Sequence, residues 1–350
     1  MKKPLLPREP LPKHDLGQEA LNKTWTDLQV DPEWGVREPG AFTWWGSRFA
    51  TRVWAEPEVD DDGFLITRLR AETDLVRGAR TDAASDLFLA TLGRSASLSG
   101  IVRDEADPGT LKLHTSVLVY IKTAHRLLPL FRTAVVLQAE TAHRTAARVA
   151  EAVGGEPAES PHPMLGFRES PDKMLAFPQL LLQPDHGSSP WEGVDMGRFL
   201  DILRRPPCLL ASGDETGLTA EFPFLRENSL LTLSTKKPHP ALGSGLLAIL
   251  RLPSGGSDDE RASLTMRLNA LDAGWTSWTH FAGSWCSDDG GVAYVSFLPN
   301  VVYVVGLSRE YADGLALKAR WVAERIFHDD WARTRATCDL EHLACPEVSS

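Results

Sequence analysis

Two segments of the chain end in helices with the same hydrophobic spacing. Ala142, Ala146, Val149 and Val153 are separated by four, three and four positions, so they share one face of a helix. Leu315, Ala319, Val322 and Ile326 repeat these separations. Both helices follow an apolar run of strand length, at 134–137 and 301–307, and both contain the letters VAE near their ends. The pattern predicts one structural module that occurs twice.

Shorter patterns predict the remaining elements. A helix is expected from Gln18 to about Leu28, and a further helix follows Ser257, which stands in capping-box spacing with Glu260, and ends at Gly274. A short bridging helix is expected between 191 and 210. Apolar and β-branched runs bounded by turn sequences predict strands on both sides of the turn VDDDG at 59–63 and at 111–121, 134–137, 217–224, 229–234, 246–252, 275–285, 292–297 and 301–307.

These elements predict an α+β fold with two related modules, each an antiparallel sheet packed against helices. The chain of 350 residues is long enough for two cores of ordinary size. Composition then predicts the boundaries, which are a Pro-rich flexible arm at 1–17, a first module at 18–155, a linker with the bridging helix at 156–214, a second module at 215–328 and a C-terminal tail at 329–350.

Charge and composition exclude several classes of protein. The formal net charge of -10 argues against a nucleic-acid partner, since phosphate neutralisation needs clustered Lys and Arg. No run approaches the roughly 18 to 20 apolar residues of a membrane span, and the first residues lack the apolar core of a signal peptide. Four cysteines are too few for a disulfide scaffold. We therefore expect a cytoplasmic protein that binds neither nucleic acid nor membrane, and the excess of Arg over Lys suggests a bacterial source.

Short motifs that resemble reactive sites each lack a necessary part. Cys338, His342 and Cys345 offer three zinc ligands without a fourth nearby, in a segment expected to be a loose tail. Ser234 and Lys237 have the spacing of a nucleophile and its base, but two prolines follow where that arrangement needs a helix. We expect no catalytic residue, no metal and no cofactor.

Tryptophan is the most unusual feature of the composition, with 11 residues of this type. On strands, tryptophans supply buried area and cross-strand pairs, so core packing is the simpler interpretation. Tryptophan is also enriched at interface hot spots, which makes an exposed partner-binding face the alternative. The candidate partner-binding residues are Trp44, Trp45, Trp54, Trp275, Trp278 and Trp285.

The order helix, antiparallel strands, helix occurs twice, closed by the segments LLPLFRTAVVLQAETAHRTAARVAEAV and FLPNVVYVVGLSREYADGLALKARWVAERIF. This order resembles the type III secretion chaperone-like fold, over about residues 18–155 and 215–328. The resemblance implies an acidic, cytosolic, non-enzymatic protein, and many proteins of this fold act as dimers that hold a partner protein in extended form. Two modules in one chain would imitate such a dimer, and a homodimer is the other expected state. The length and the Trp-rich strands depart from a simple chaperone, which leaves the client open.

Two functions follow from these observations. The first is a non-enzymatic protein-binding protein, such as a chaperone, an adaptor or an immunity-type inhibitor, that uses an exposed sheet face or edge. The second is an enzyme or a small-ligand sensor with a site between the two modules, lined by tryptophans and by His280, Asp288 and Arg309.

Overall fold

The structure is a computed structural model that describes residues 15–328 apart from 58, 62–63, 94–97, 177–188, 205–207, 225–226, 240–241, 275–281 and 289–290. Two antiparallel sheets packed against helices confirm the predicted α+β class with two sheet modules. Within the described residues, none of the helices combines the length and the apolar content needed to cross a bilayer.

The first module begins with a helix and builds an antiparallel sheet. Its elements are α1 (Leu16–Asp27), β1 (Gly35–Glu38), β2 (Ala41–Trp45), β3 (Ala50–Ala55), β4 (Val59–Asp61), β5 (Phe64–Arg77), α2 (Ala83–Leu92), β6 (Gly100–Arg103), β7 (Leu111–Tyr120) and α3 (Ala124–Val153). The strand order is β1-β2-β3-β5-β7-β6, and β4 and the short β8 (Glu156–Pro157) pair with β5. Helix α3 packs on β5 and β7.

The second module repeats this arrangement. Its elements are α4 (Val194–Leu203), β9 (Leu210–Asp214), β10 (Gly217–Phe224), β11 (Glu227–Ser234), β12 (Gly245–Leu252), α5 (Asp258–Ala273), β13 (Ser284–Asp288), β14 (Gly291–Pro299) and α6 (Leu307–His328). The strand order is β9-β10-β11-β12-β14-β13. Helix α4 and strand β9 lie in the segment 156–214, and because β9 pairs with β10, that segment contributes an edge strand to the second sheet.

Both modules share one topology. Each has a helix, a meander, a helix, two strands and a closing helix, and in each sheet the last strand lies between the meander and the strand that precedes it in sequence. The predicted closing faces are also equivalent, since Ala142, Val149, Leu315 and Val322 are fully buried. The equal hydrophobic spacing of the two helices predicts a module that occurs twice. The order and the pairing of the strands repeat in the same way.

Two predicted strands are wrong. The run 134–137 lies inside α3, which is one continuous helix from Ala124 with Pro129 in its second turn. Val135, Val136 and their neighbours are all buried, and a helix buried on several sides has no polar face to mark its period. The run 301–307 forms a 3-10 turn at Asn300–Val302 and then reaches Gly306, whose φ of 91° precedes the start of α6.

One apolar core extends through both modules. It includes Trp44 and Phe131 of the first module and Phe222, Trp285 and Leu315 of the second. The modules therefore pack against each other as parts of one molecule. The capping box predicted at Ser257 and Glu260 is present and begins α5, which lies at this junction.

Candidate functional site

Four of the tryptophans predicted to bind a partner lie among the described residues, and three of these four are buried. Trp44 and Trp285 are fully buried and Trp45 is 7% exposed, whereas Trp54 is half-buried. These three buried rings therefore supply packing and do not form an exposed face in this structure. Trp275 and Trp278 lie outside the described residues.

Trp44 and Trp45 are both buried although they point to opposite faces of β2. Trp44 lies in the main core, and Trp45 is covered by the segment after α3, where its ring meets His162 at 4.7 Å and its Nε1 donates to the Ser160 carbonyl at 3.1 Å. A strand covered on both faces cannot be distinguished by its own sequence from one with an exposed aromatic face.

Trp54 lies on the outer face of the first sheet between two cations. The Arg52 and Arg70 guanidinium groups lie 5.6 and 4.9 Å from its ring centroid. Arg70 donates to Glu56 at 2.9 Å and to Glu72 at 3.1 Å. The charges on this face are thus largely paired with each other, which is typical of a structural network.

Glu72 and His114 are cross-strand neighbours at the centre of this network. Burial opposes the charge on Glu72, but the nearby His114 imidazole and the charges of Arg70 and Lys112 outweigh it and lower the pKa of Glu72. Burial lowers the pKa of His114, with Arg70 and Arg68 acting in the same direction against Glu72. His114 is therefore a neutral imidazole at pH 7, with Nδ1 3.4 Å from the Glu72 carboxylate.

The modules meet through a reciprocal interface. Helices α2 and α5 pack on each other, α2 also lies against β13 of the second module, and α5 lies against β6 of the first. Such an exchange of equivalent contacts is what a two-fold symmetric dimer interface contains. Arg68 also crosses the junction, where its guanidinium donates to the Gly274 carbonyl at 2.6 Å.

Side chains on α5 hold the strand next to it. The Asn269 amide donates to the Trp285 carbonyl at 3.0 Å and accepts from the Trp285 N–H at 2.9 Å, which satisfies the backbone of edge strand β13. Asp272 accepts from the Trp285 indole at 3.2 Å. The same carboxylate pairs with Lys318 of α6. Residues separated widely in sequence thus form one buried polar cluster beside the junction.

A small cavity lies between the modules. It is lined by Gly100, His114 and Ser116 from the first module and by Asn269, Asp272 and Gly283 from the second. Its volume of about 20 Å³ fits one water molecule, whereas metabolite sites are typically of several hundred Å³. Neither ring nitrogen of His114 has a hydrogen-bond partner among the described residues.

The other residues named for an intermodule ligand site do not converge. Asp288 on β13 accepts a hydrogen bond from Arg251 at 2.7 Å. Arg309 is on an exposed turn of α6, 3.9 Å from Asp313. His280 lies outside the described residues. No group of three or more His, Cys, Asp or Glu side chains in the described part of the chain has a metal-binding arrangement, and Cys338, His342 and Cys345 lie beyond that part.

The edge strand β9 is the exposed end of the second sheet. Leu209 and Leu210 are 59% and 58% exposed, and among the described residues only β10 pairs with β9. Leu210 begins a cross-strand row on the outer face of the sheet that continues through Glu221, Leu230, Arg251 and Ala293. Leu247 and Ile249 of the same face are partly buried apolar residues packed beside this row. The sequence pattern of the segment 156–214 predicts a linker, and the structure instead places an edge strand at its end.

The corresponding edge of the first module differs in its chemistry. Strand β1 is short and ends in Arg37 and Glu38, which are exposed. Charged side chains on an edge strand are a common means by which proteins prevent further strand pairing. Strand β9 carries no charged residue before Asp214, so one edge of the molecule is protected by charge and the other presents leucines.

Comparisons of the chain with protein-family models, with curated proteins and with solved structures found no match.

Proposed function

We propose that this is a non-enzymatic, cytoplasmic protein-binding protein, a chaperone, adaptor or immunity-type inhibitor, that binds an extended segment of a partner protein along β9. The observation that carries the proposal is an edge strand that pairs on one side only within the described residues, with Leu210 in the strand and Leu209 just before it, both more than half exposed. An extended segment added to such an edge gains main-chain hydrogen bonds, while alternate side chains give specificity. The duplicated order of helices and strands supports a relationship to the type III secretion chaperone-like fold.

The charges around β9 define the chemistry of the segment that would fit. Glu221 is the cross-strand neighbour of Leu210, and Asp214 and Glu215 lie at the other end of the strand. Hydrogen bonds from Thr216 lower the pKa of Asp214, so its carboxylate is charged at neutral pH. The partner segment is therefore apolar where it meets Leu210 and carries Lys or Arg beside these acids.

An enzyme or sensor with an intermodule site is the less favoured function. The cavity between the modules is of the size of one water molecule. The polar groups beside it, Asn269 and Asp272, are engaged with Trp285 and Lys318. These contacts favour a structural role for the junction.

The proposal is tested by affinity capture from the source organism with the wild-type chain and with Leu210→Lys. A lysine on an edge strand opposes strand addition without disturbing a core. We expect the wild-type chain to recover a partner protein and Leu210→Lys to recover about tenfold less of it. A tenfold change corresponds to roughly 1.4 kcal/mol of binding free energy. Leu317→Lys is the matched control, because Leu317 is a leucine on α6 whose exposed fraction is 50%. Equal recovery by Leu210→Lys would exclude β9 as the binding edge.

A further inference from the structure

A short hairpin after α3 presents apolar side chains to solvent. We call residues 162–166 the Met164 hairpin. His162 and Gly166 exchange both backbone hydrogen bonds, at 2.8 and 3.0 Å. The N–H groups of Met164 and Leu165 point to the His162 Nδ1, each at 3.3 Å. Gly166 has a φ of 76°, which a residue with a side chain rarely adopts.

Two buried aromatic contacts hold this hairpin against the first sheet. The His162 ring packs edge-on against Trp45 at 4.7 Å and against Trp34 at 5.7 Å. The Arg168 guanidinium donates to the Trp45 carbonyl at 2.7 Å and pairs with Asp172 at 3.2 Å. His162, and Arg168 just beyond the end of the hairpin, thus hold this segment against β2.

The tip of this fixed hairpin is apolar. Met164 is 85% exposed and Leu165 is 49% exposed, and the adjoining Phe167 is 41% exposed. A loop with no binding role gains nothing from three exposed apolar side chains on a rigid support. A preorganised apolar projection, in contrast, loses little conformational entropy when it enters a pocket.

We propose that the Met164 hairpin is a docking element that inserts Met164 and Leu165 into an apolar pocket on a partner protein. The pocket would have a basic rim. Arg48 lies over the Phe167 ring and pairs with Glu159 at 3.2 Å and with Glu169 at 3.9 Å, so this flank carries one more negative than positive charge. The Glu169 side chain is 84% exposed and is the available carboxylate.

A protein pocket is favoured over a lipid surface by the same charges. An apolar tip can also enter a bilayer, but anionic lipid headgroups attract basic segments and repel acidic ones. Glu159 and Glu169 flank this tip, and the chain has a formal net charge of -10. The inference concerns a surface separate from β9, so either proposal can fail while the other holds.

The test is site-specific photo-crosslinking with the full chain in the source organism, with the photoreactive residue at position 164 or, as the control, at position 317. We expect a protein that is captured from position 164 and not from position 317. Its purified form should bind the wild-type chain and lose about tenfold in affinity with Met164→Ser and with Glu169→Lys. Leu317→Lys should leave this affinity unchanged.

Three outcomes would overturn the inference. The first is capture from position 164 no stronger than from position 317, or a captured protein whose affinity for Met164→Ser equals its affinity for the wild type. The second is sedimentation of the wild-type chain with phosphatidylcholine–phosphatidylserine vesicles that Met164→Ser abolishes, since the tip would then be a membrane element. The third is a dimer in analytical ultracentrifugation that Met164→Ser dissociates, since the occupant would then be a second copy.

Discussion

The Lys318 ammonium group lies 2.7 and 2.6 Å from the two carboxylate oxygens of Asp272, and the Lys318 side chain is fully buried. The same ammonium lies 4.3 Å from the centroid of the Tyr294 ring. Burial lowers the pKa of Lys318, and the charge of Asp272 opposes that shift. The pair joins α6 to α5 beside the junction of the modules, where the loss of one partner leaves a buried charge without its counterion.

Removal of this lysine should therefore destabilise the protein strongly. We expect Lys318→Met to lower the free energy of unfolding by about 3 to 5 kcal/mol, because the Asp272 carboxylate, which is only 15% exposed, loses the ammonium group that contacts both of its oxygens. Urea denaturation followed by tryptophan fluorescence measures the change. Lys23→Met is the matched control, since Lys23 pairs with Asp27 at 3.4 Å on the surface and should cost less than about 1 kcal/mol. Equal effects of the two substitutions would contradict this interpretation of the pair.

Stability should depend on pH through His114. Its pKa is lowered from 6.5 by burial, so the unfolded chain binds the proton more readily than the folded protein. Stability is then full above about pH 6.5 and falls as the pH decreases toward the folded pKa. We expect the loss of unfolding free energy between about pH 7.5 and about pH 5.5 to be smaller in His114→Gln than in the wild type. The exposed His143 on α3 provides the control His143→Gln, which should retain the wild-type slope.

Asn269 should contribute more than a typical surface amide. In Asn269→Ala the buried backbone N–H of Trp285 loses its partner, and the Trp285 carbonyl keeps only the Ser284 hydroxyl as a donor. We expect the free energy of unfolding to fall by at least about 2 kcal/mol, the cost of unsatisfied buried polar groups. Asn228→Ala, which removes an exposed amide bonded to Glu221, should change it little. Thermal and urea unfolding of both variants measure the two changes. Similar losses of unfolding free energy would show that the hydrogen bonds from Asn269 to the Trp285 backbone contribute little.

A carboxylate on α6 should control the ionisation of a tyrosine in the other module. Glu310 accepts from the Tyr120 hydroxyl at 3.0 Å and from Arg126 at 2.8 Å. Burial and the Glu310 charge raise the pKa of Tyr120 to about 12. We expect Glu310→Gln to lower this pKa toward 10 without reaching it, because the burial remains. Tyrosinate absorbance titrations measure the shift, with Tyr120→Phe to assign the signal. An unchanged titration would show that the carboxylate does not act on Tyr120.

Patterns among neighbouring residues predict the elements that depend on neighbouring residues alone. Strand β10 matches its expected span, and α5 begins at the capping box of Ser257 and Glu260, because alternation and caps depend on neighbouring residues. The run 134–137 was misassigned because α3 is buried on several sides. Sequence alone leaves open whether Trp45 is a core or a surface residue, because the segment that covers it is more than a hundred positions away.

The positions of the candidate surfaces depend on contacts between residues that are far apart in sequence. His114, Asn269 and Asp272 meet only because the two modules pack against each other, and no spacing in the sequence connects them. The exposure of Leu210 depends on its place at the end of a sheet, since the same residue on an interior strand would be covered. The Met164 hairpin was interpreted as part of a linker, although His162 and Gly166 give it a defined backbone.

The reciprocal packing of α2 and α5 has a consequence for stoichiometry. A dimer of identical subunits must present two identical edges, and hence two equivalent binding positions. Covalent duplication removes that requirement, because each copy of the module can acquire its own residues. Here the edge strand β1 of the first module carries Arg37 and Glu38. The corresponding edge of the second module, at β9, presents Leu209 and Leu210. If β9 is the binding edge, as proposed, an architecture with dimer-like symmetry would use one of its two equivalent edges, and one chain would take up one extended segment.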